Sequence, residues 1–176
     1  MITIVPAAPE HHAALHAIAA ATLGPDYLQD HAWNNTHVAL AGTDCTGFVQ
    51  YHLLPQGQLY TALPHLPPRP TFAKATAALL HNIAVAPAWQ RQGVGLRLVQ
   101  YAVQACRVQG ATLLLAEAWQ HGTPPRTNVG TVLTAAGFLP CGTAPHYWRS
   151  ACDAGQFECP ARTTECACSA VFYYKE

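Results

Sequence analysis

Residues Ile83 to Gly95 read I-A-V-A-P-A-W-Q-R-Q-G-V-G, and this stretch decides the fold because it ends a strand, turns on glycines and opens a helix. Upstream, Leu79 to Val85 (L-L-H-N-I-A-V) is short, apolar and partly β-branched, the composition of a mostly buried strand, and Pro87 ends it. Downstream, Leu98, Val99, Ala102, Val103 and Cys106 recur at helical spacing over Val94 to Val108, with Arg97, Gln100, Gln104 and Arg107 largely on the other side. The start of such a helix leaves backbone N–H groups unpaired and carries partial positive charge, so it favours an anion. Gly93 and Gly95 put no Cβ between backbone and ligand, and Arg91 adds a charge. The run Gln90-Arg91-Gln92-Gly93-Val94-Gly95 therefore reads as a phosphate cradle. It is not a Rossmann loop, since Leu98 stands where a third glycine would be, and no Gly-Lys-Ser/Thr of a Walker loop occurs.

With Gln90, Gly93 and Gly95 in the pattern Gln/Arg-x-x-Gly-x-Gly/Ala, after a strand ending Val85-Ala86-Pro87, the chain resembles the GNAT superfamily of acyl-CoA-dependent N-acyltransferases. The resemblance runs roughly from Ile2 to Phe138, with specific motifs only from Leu79 onward. It implies a mixed α/β (α+β) fold: a central mixed sheet with a splayed pair of strands, flanked by helices on both faces. It also implies that Gln90, Arg91, Gln92, Gly93, Val94 and Gly95 hold the pyrophosphate of acetyl-CoA, and that Ile83, Ala84 and Val85 lie beside the acyl end of the pantetheine arm. A second family pattern, a helix ending Gly-Phe with an Asn nine residues before the Gly, is matched by Asn128, Gly137 and Phe138. The resemblance implies that Asn128 contacts the pantetheine; on its own, an Asn near a helix start is a cap. Many members carry a tyrosine acid four residues before that Gly, where this chain has Leu133. Tyr147, from the C-terminal region, or a water is then the candidate acid.

Acyl transfer to an amine needs the neutral amine, hence a base beside the thioester. His81 is on the strand that ends at Val85, and strict alternation would put it on one face with Ile83 and Val85. The segment L-H-N-I-A-V is similar to the L-H-x-L-A-V of arylalkylamine-type acetyltransferases, which implies that His81 helps to deprotonate the acceptor. An imidazole titrates in the right range for that task. With ten histidines in the chain, a structural histidine bonded to a carbonyl is the competing reading. Glu117 and His121 are the reserve candidates, with Glu117 expected as a solvated carboxylate just past the next strand.

Composition fits one domain over residues 1–176, at 51% hydrophobic content. Lys plus Arg and Asp plus Glu are nine each, which leaves no general basic field for nucleic acid or an acidic membrane. Charged residues are 10% against about a quarter in ordinary domains, and so low a charge fits a homodimer or modest solubility. Met1 to Val5 is strand-like and interrupted by Pro6, unlike a signal peptide, and no apolar run approaches the roughly 20 residues of a membrane span. The expectation is a cytoplasmic protein.

The N-terminal third reads as a β-α-α-β-β beginning: strand Ile2 to Val5, helices from Pro9 and Tyr27, then strands His37 to Ala41 and Thr46 to Leu54 about a Gly42-Thr43-Asp44 turn. Tyr27 and Trp33 lie where the family often places acceptor-binding residues, although core packing is their default. Gln56 to Pro70 carries Pro64, Pro67, Pro68 and Pro70, which oppose regular structure. By the family analogy it is a lid over the acceptor, with Tyr60, His65 and Phe72 as lining.

Residues 145–168 form a cysteine-rich insertion before a final strand. Cys152, Cys159, Cys166 and Cys168 fall within 17 positions, with Cys166 and Cys168 on one face if extended. In a cytosolic protein such a cluster suggests a structural zinc, plain thiols or, less readily, disulfides. The expected activity is N-acetyl transfer from acetyl-CoA to a primary amine, most simply a small molecule. A protein N-terminus or lysine is the alternative acceptor, and a silent acyl-CoA-binding or protein-interaction module the alternative class.

Overall fold

The computed structural model describes residues 1–24, 27–28, 30–122, 125–156 and 165–176. The chain runs β1 (Ile2–Pro6), α1 (His12–Thr22), β2 (Thr36–Ala41), β3 (Asp44–Leu54), α2 (Leu59–Ala62), β4 (Ala77–Val85), α3 (Val94–Val108), β5 (Leu113–His121), β6 (Arg126–Thr127), α4 (Gly130–Ala135), β7 (Leu139–Ala144), α5 (Arg149–Asp153) and β8 (Ser169–Lys175). The sheet order is β1-β2-β3-β4-β5-β8-β7, with β6 added at the end of β5. Every pairing is antiparallel except β4 with β5. The sheet is therefore mixed, as the resemblance implied. Among the described residues no helix is long and apolar enough to cross a membrane.

Alternation in the central strands feeds two opposite faces. Val49, Leu80, Leu114 and Tyr173 pack with Leu98, Val99 and Ala102 of α3 and Leu133 of α4. On the other face, Val38, Phe48 and Ala84 meet Leu15 and Ile18 of α1. The rest of that face is covered by the connection between β3 and β4, whose Leu59, Leu63, Leu66 and Phe72 pack on Leu113, Leu115 and Phe172. The proline-rich segment is thus a docked layer with its own apolar anchors. Phe72 is buried in that layer and does not line an acceptor pocket, which corrects the lid expected there.

Two irregularities in β4 position the site. Its parallel pairing with β5 begins at Ala77 opposite Leu113 and stops at Leu80 opposite Ala116, although both strands continue. From that point the two strands splay. One strand over, Tyr51 pairs with Leu80 and Gln50 with Asn82, so His81 is an extra residue with no counterpart in β3. It is a β-bulge, which bends the strand and breaks the alternation of faces. Ala78 and Leu80 below it and Ile83 and Val85 above it pack against the same α3-side cluster. His81 instead meets His52 of β3, so the face it was expected to share with Ile83 and Val85 is not its own.

Candidate active site

The loop before α3 is built by two left-handed residues in close succession: Arg91 has φ +59° and Gly93 φ +81°. A Cβ at Gly93 would meet nothing within 4 Å, so the glycine is needed for its backbone conformation. Gln90 Nε2 donates to the Val85 carbonyl at 3.0 Å and Gln92 Nε2 to the Ala88 carbonyl at 2.8 Å. These side chains brace the loop and leave the backbone to face the cleft. No side chain caps α3 at Gly93, so its first-turn amides remain the donors for an anion. The cleft beside them is lined by Gln90, Arg91, Gly93, Gly95, Ile83 and Asn128. The residues present fit a pyrophosphate at one end and an extended arm along the unpaired edge of β4.

A second cavity opens at the splay, lined by Tyr27, His81, Glu117, Asn128, Trp119 and Trp148 among others. Leu23, Ile83, Asn128 and Val129 border both spaces, which makes them one passage from the loop to His81. Asn128 stands at the junction, its Oδ1 3.1 Å from Nε2 of His121. It precedes the cap position of α4, which is Val129, and it is not a helix cap. His121 is thereby tied to Asn128. Leu133, at the family's tyrosine position, is fully buried.

His81 and Glu117 are the first residues past the last β4–β5 pair, one on each side of the splay. Burial pushes the His81 imidazole below its ordinary range, and the neighbouring His52, ring centroids 5.1 Å away, pushes it the same way. Neutral imidazole is the form that accepts a proton. Glu117 lies inside β5, not in a solvated loop as expected, and burial raises its carboxyl above the usual range. The Tyr147 hydroxyl donates to Glu117 Oε1 at 2.7 Å, and this bond and nearby His65 partly offset the rise. Burial and the bond to Glu117 push the Tyr147 phenol well above its ordinary range. Its proton is held by the carboxylate. Trp119 and Trp148 had no sequence signal beyond residue type, although Trp119 follows Glu117 at strand spacing and so shares its face.

Cys152, Cys166 and Cys168 come together in one buried cluster against Trp119 and Trp148, directly behind the cavity wall. Cys159 lies outside the described residues. Among the described residues no group of three or more His, Cys, Asp or Glu side chains is placed to hold a metal, so the structural zinc expected of these cysteines finds no support. Cys152, Cys166 and Cys168 pack beneath the two tryptophans.

Residues 6–124 match the model of the acetyltransferase (GNAT) family. No curated protein matches the chain. Among solved structures, it is similar to Ard1 from Thermoplasma volcanium at 16% identity and TM-score 0.67, covering 99% of this chain and 96% of that one. It is similar to Arabidopsis thaliana Naa50 in complex with the bisubstrate analogue CoA-Ac-MVNAL at 12% identity and TM-score 0.63, covering 99% and 98%. A GNAT family acetyltransferase from Elizabethkingia anophelis with acetyl-CoA bound matches at 15% identity and TM-score 0.67, covering 99% and 97%. Identities this low speak for the fold alone. A family model that spans more than half of the chain, including β2 to β5 and the glycine loop before α3, does more: the chain belongs to the GNAT family and is an acetyl-CoA-dependent acetyltransferase.

Proposed function

We propose that the chain acetylates the primary amine of a small molecule by direct attack in a ternary complex. The observation that carries this reading is the placement of His81 and Glu117 on opposite sides of the splay, in a cavity continuous with the loop cleft. The amine arrives mostly as an ammonium, which the Glu117 carboxylate attracts, and it must lose a proton before it can attack. His81, kept neutral by its surroundings, takes that proton directly or through a water. The nitrogen then forms its bond to the acetyl carbonyl carbon as the C–S bond breaks; the departing sulfur receives a proton from the imidazolium, and the second proton on the acylated nitrogen leaves to the freed imidazole or to water. Proximity supplies much of the rate, since loop and splay hold the two reactants side by side. With its proton held by Glu117, Tyr147 is not the acid in this scheme.

A small acceptor is favoured by the cavity walls, where Tyr27, Trp119 and Trp148 crowd the space around a single carboxylate. The bisubstrate analogue CoA-Ac-MVNAL in the Arabidopsis thaliana Naa50 structure makes peptides the necessary comparison. The test is transfer of labelled acetyl from acetyl-CoA across matched small amines and peptides, in wild type and His81→Ala. Wild-type transfer to small amines that falls about a hundredfold or more in the variant, with CoA binding retained, supports the reading. Transfer to peptides alone sinks the small-molecule acceptor. CoA binding with no transfer to any acceptor sinks the enzymatic reading in favour of a binding module.

A further inference from the structure

Tyr147 is at the turn between β7 and α5, thirty residues from Glu117 in sequence, yet their side chains meet at 2.7 Å. The Tyr147 ring also packs edge-on against His65, ring centroids 5.4 Å apart, and against Phe172 of β8 at 5.8 Å. His65 belongs to the β3–β4 connection and is exposed. Tyr147 and His65 together line a groove on the outer side of this contact, separate from the cavity that holds His81. Glu117 thus has the reacting space on one side and a phenol backed by an imidazole on the other. We propose that Tyr147 and His65 are positioning residues for Glu117, aiming its carboxylate across the splay and keeping it available to the acceptor's nitrogen.

The reason is physical. A carboxylate with part of its surface removed from water loses solvation and tends to take up a proton. A phenol O–H returns one strong hydrogen bond to the charged form, and a nearby imidazolium returns charge. Both act in this direction on Glu117. Among the described residues, the other titratable groups lining its cavity are His81 of β4 and Tyr27, and its β8 partner position is Phe172. The inference rests on the reading of this cavity as the acetyl-transfer centre, and two independent readouts keep the two apart.

The first readout is a carbon-13 NMR titration of the full chain labelled at glutamate Cδ. There are five glutamates, and the Glu117 signal is the one lost in Glu117→Gln. Its midpoint is expected to move to higher pH in Tyr147→Phe and in His65→Gln, because each variant removes an influence that favours the charged form. An unchanged midpoint in both overturns the proposal. His65 is exposed, so its substitution keeps the test open if Tyr147→Phe does not fold. The second readout is the acidic limb of the kcat/KM profile for acetyl transfer, fitted with two ionisations, His81 and Glu117; the one that matches the NMR midpoint should move to higher pH with it and activity should recover at alkaline pH. A midpoint that moves while the limb stays fixed separates Glu117 from the reaction and overturns its positioning role. A wild type with no acetyl transfer fails the functional reading instead, while the NMR midpoint still decides whether Tyr147 and His65 act on Glu117.

Discussion

A histidine that lines a cavity and faces a second histidine is a different reagent from one in open water. Desolvation disfavours the imidazolium at His81, and His52 adds like-charge repulsion. In the proposed scheme neutral His81 is the active form, so its lowered pKa should keep transfer running at pH values where an ordinary imidazole would already be protonated. Replacing His52 by Asn removes the smaller of the two influences. The acidic limb assigned to His81 should then move to higher pH, while burial keeps it below the ordinary imidazole range; a pH profile of kcat/KM checks this, and a limb that moves to lower pH contradicts it. The Tyr147–Glu117 bond is a hydrogen bond to a charged group, worth about 1.5–3 kcal/mol. Tyr147→Phe should lower stability by that order at neutral pH, as read by denaturant unfolding. Little of this was legible in the chain, because Glu117, Tyr147 and His65 are distant in sequence and meet only after β5, β7 and the β3–β4 connection are stacked.

At the scale of elements, the glycine turn and α3 were legible almost residue for residue: the chain turns at Gly93 and the helix spans Val94–Val108 as its periodicity predicts. Their signals are local, since helical spacing and glycine placement need no knowledge of the rest of the fold. The same locality makes the two glycines separable by experiment. At Gly93 a side chain has room but the backbone is left-handed, so Gly93→Ala should cost about 1–2 kcal/mol and distort the cradle, lowering both Tm and CoA affinity. Gly95 is helical, and an added Cβ would make only ordinary contact with Val85 and Val132, at 3.6 and 3.8 Å. Gly95→Ala should raise helix stability by roughly 0.5–1 kcal/mol while narrowing a cleft that both valines line. A higher Tm with weaker CoA binding, by thermal melts and calorimetry, is the expected pair of results. The second helix was less legible: α4 spans only Gly130–Ala135, and Asn128, the asparagine of the second pattern, lies outside it in contact with His121.

In the whole molecule, the sheet separates the two covering layers. The α3 side carries the loop and its cleft, while α1 and the β3–β4 connection cover the side to which His81 turns. The prolines of that connection predicted irregular chain, and largely obtained it, but they hid the anchoring role of Leu59, Leu63, Leu66 and Phe72, whose spacing follows no regular period. Its docking is close enough that a Cβ at Gly142 of β7 would run into the Pro67 ring. Gly142→Val should therefore lift the connection at a cost of about 1–3 kcal/mol. Hydrogen exchange should accelerate across residues 59–74, and the loss of His65 from Tyr147 should impair acetyl transfer more than CoA binding.

The bulge at His81 has a further meaning when the strand is counted as a lattice. Removing residue 81 from the count leaves Leu80, Asn82, Ile83, Ala84 and Val85 in unbroken alternation, with Leu80, Ile83 and Val85 still on the α3 side and Ala84 still toward α1. For the packing of the core, the histidine is therefore a supernumerary residue, a dislocation inserted into an otherwise complete row. Excising it is a different experiment from trimming it to alanine: the shortened chain should heal the row and keep its core contacts, while losing both the imidazole and the bend that accompanies it. On the proposed role of His81, base and bend therefore stand or fall together with one change in the length of the strand.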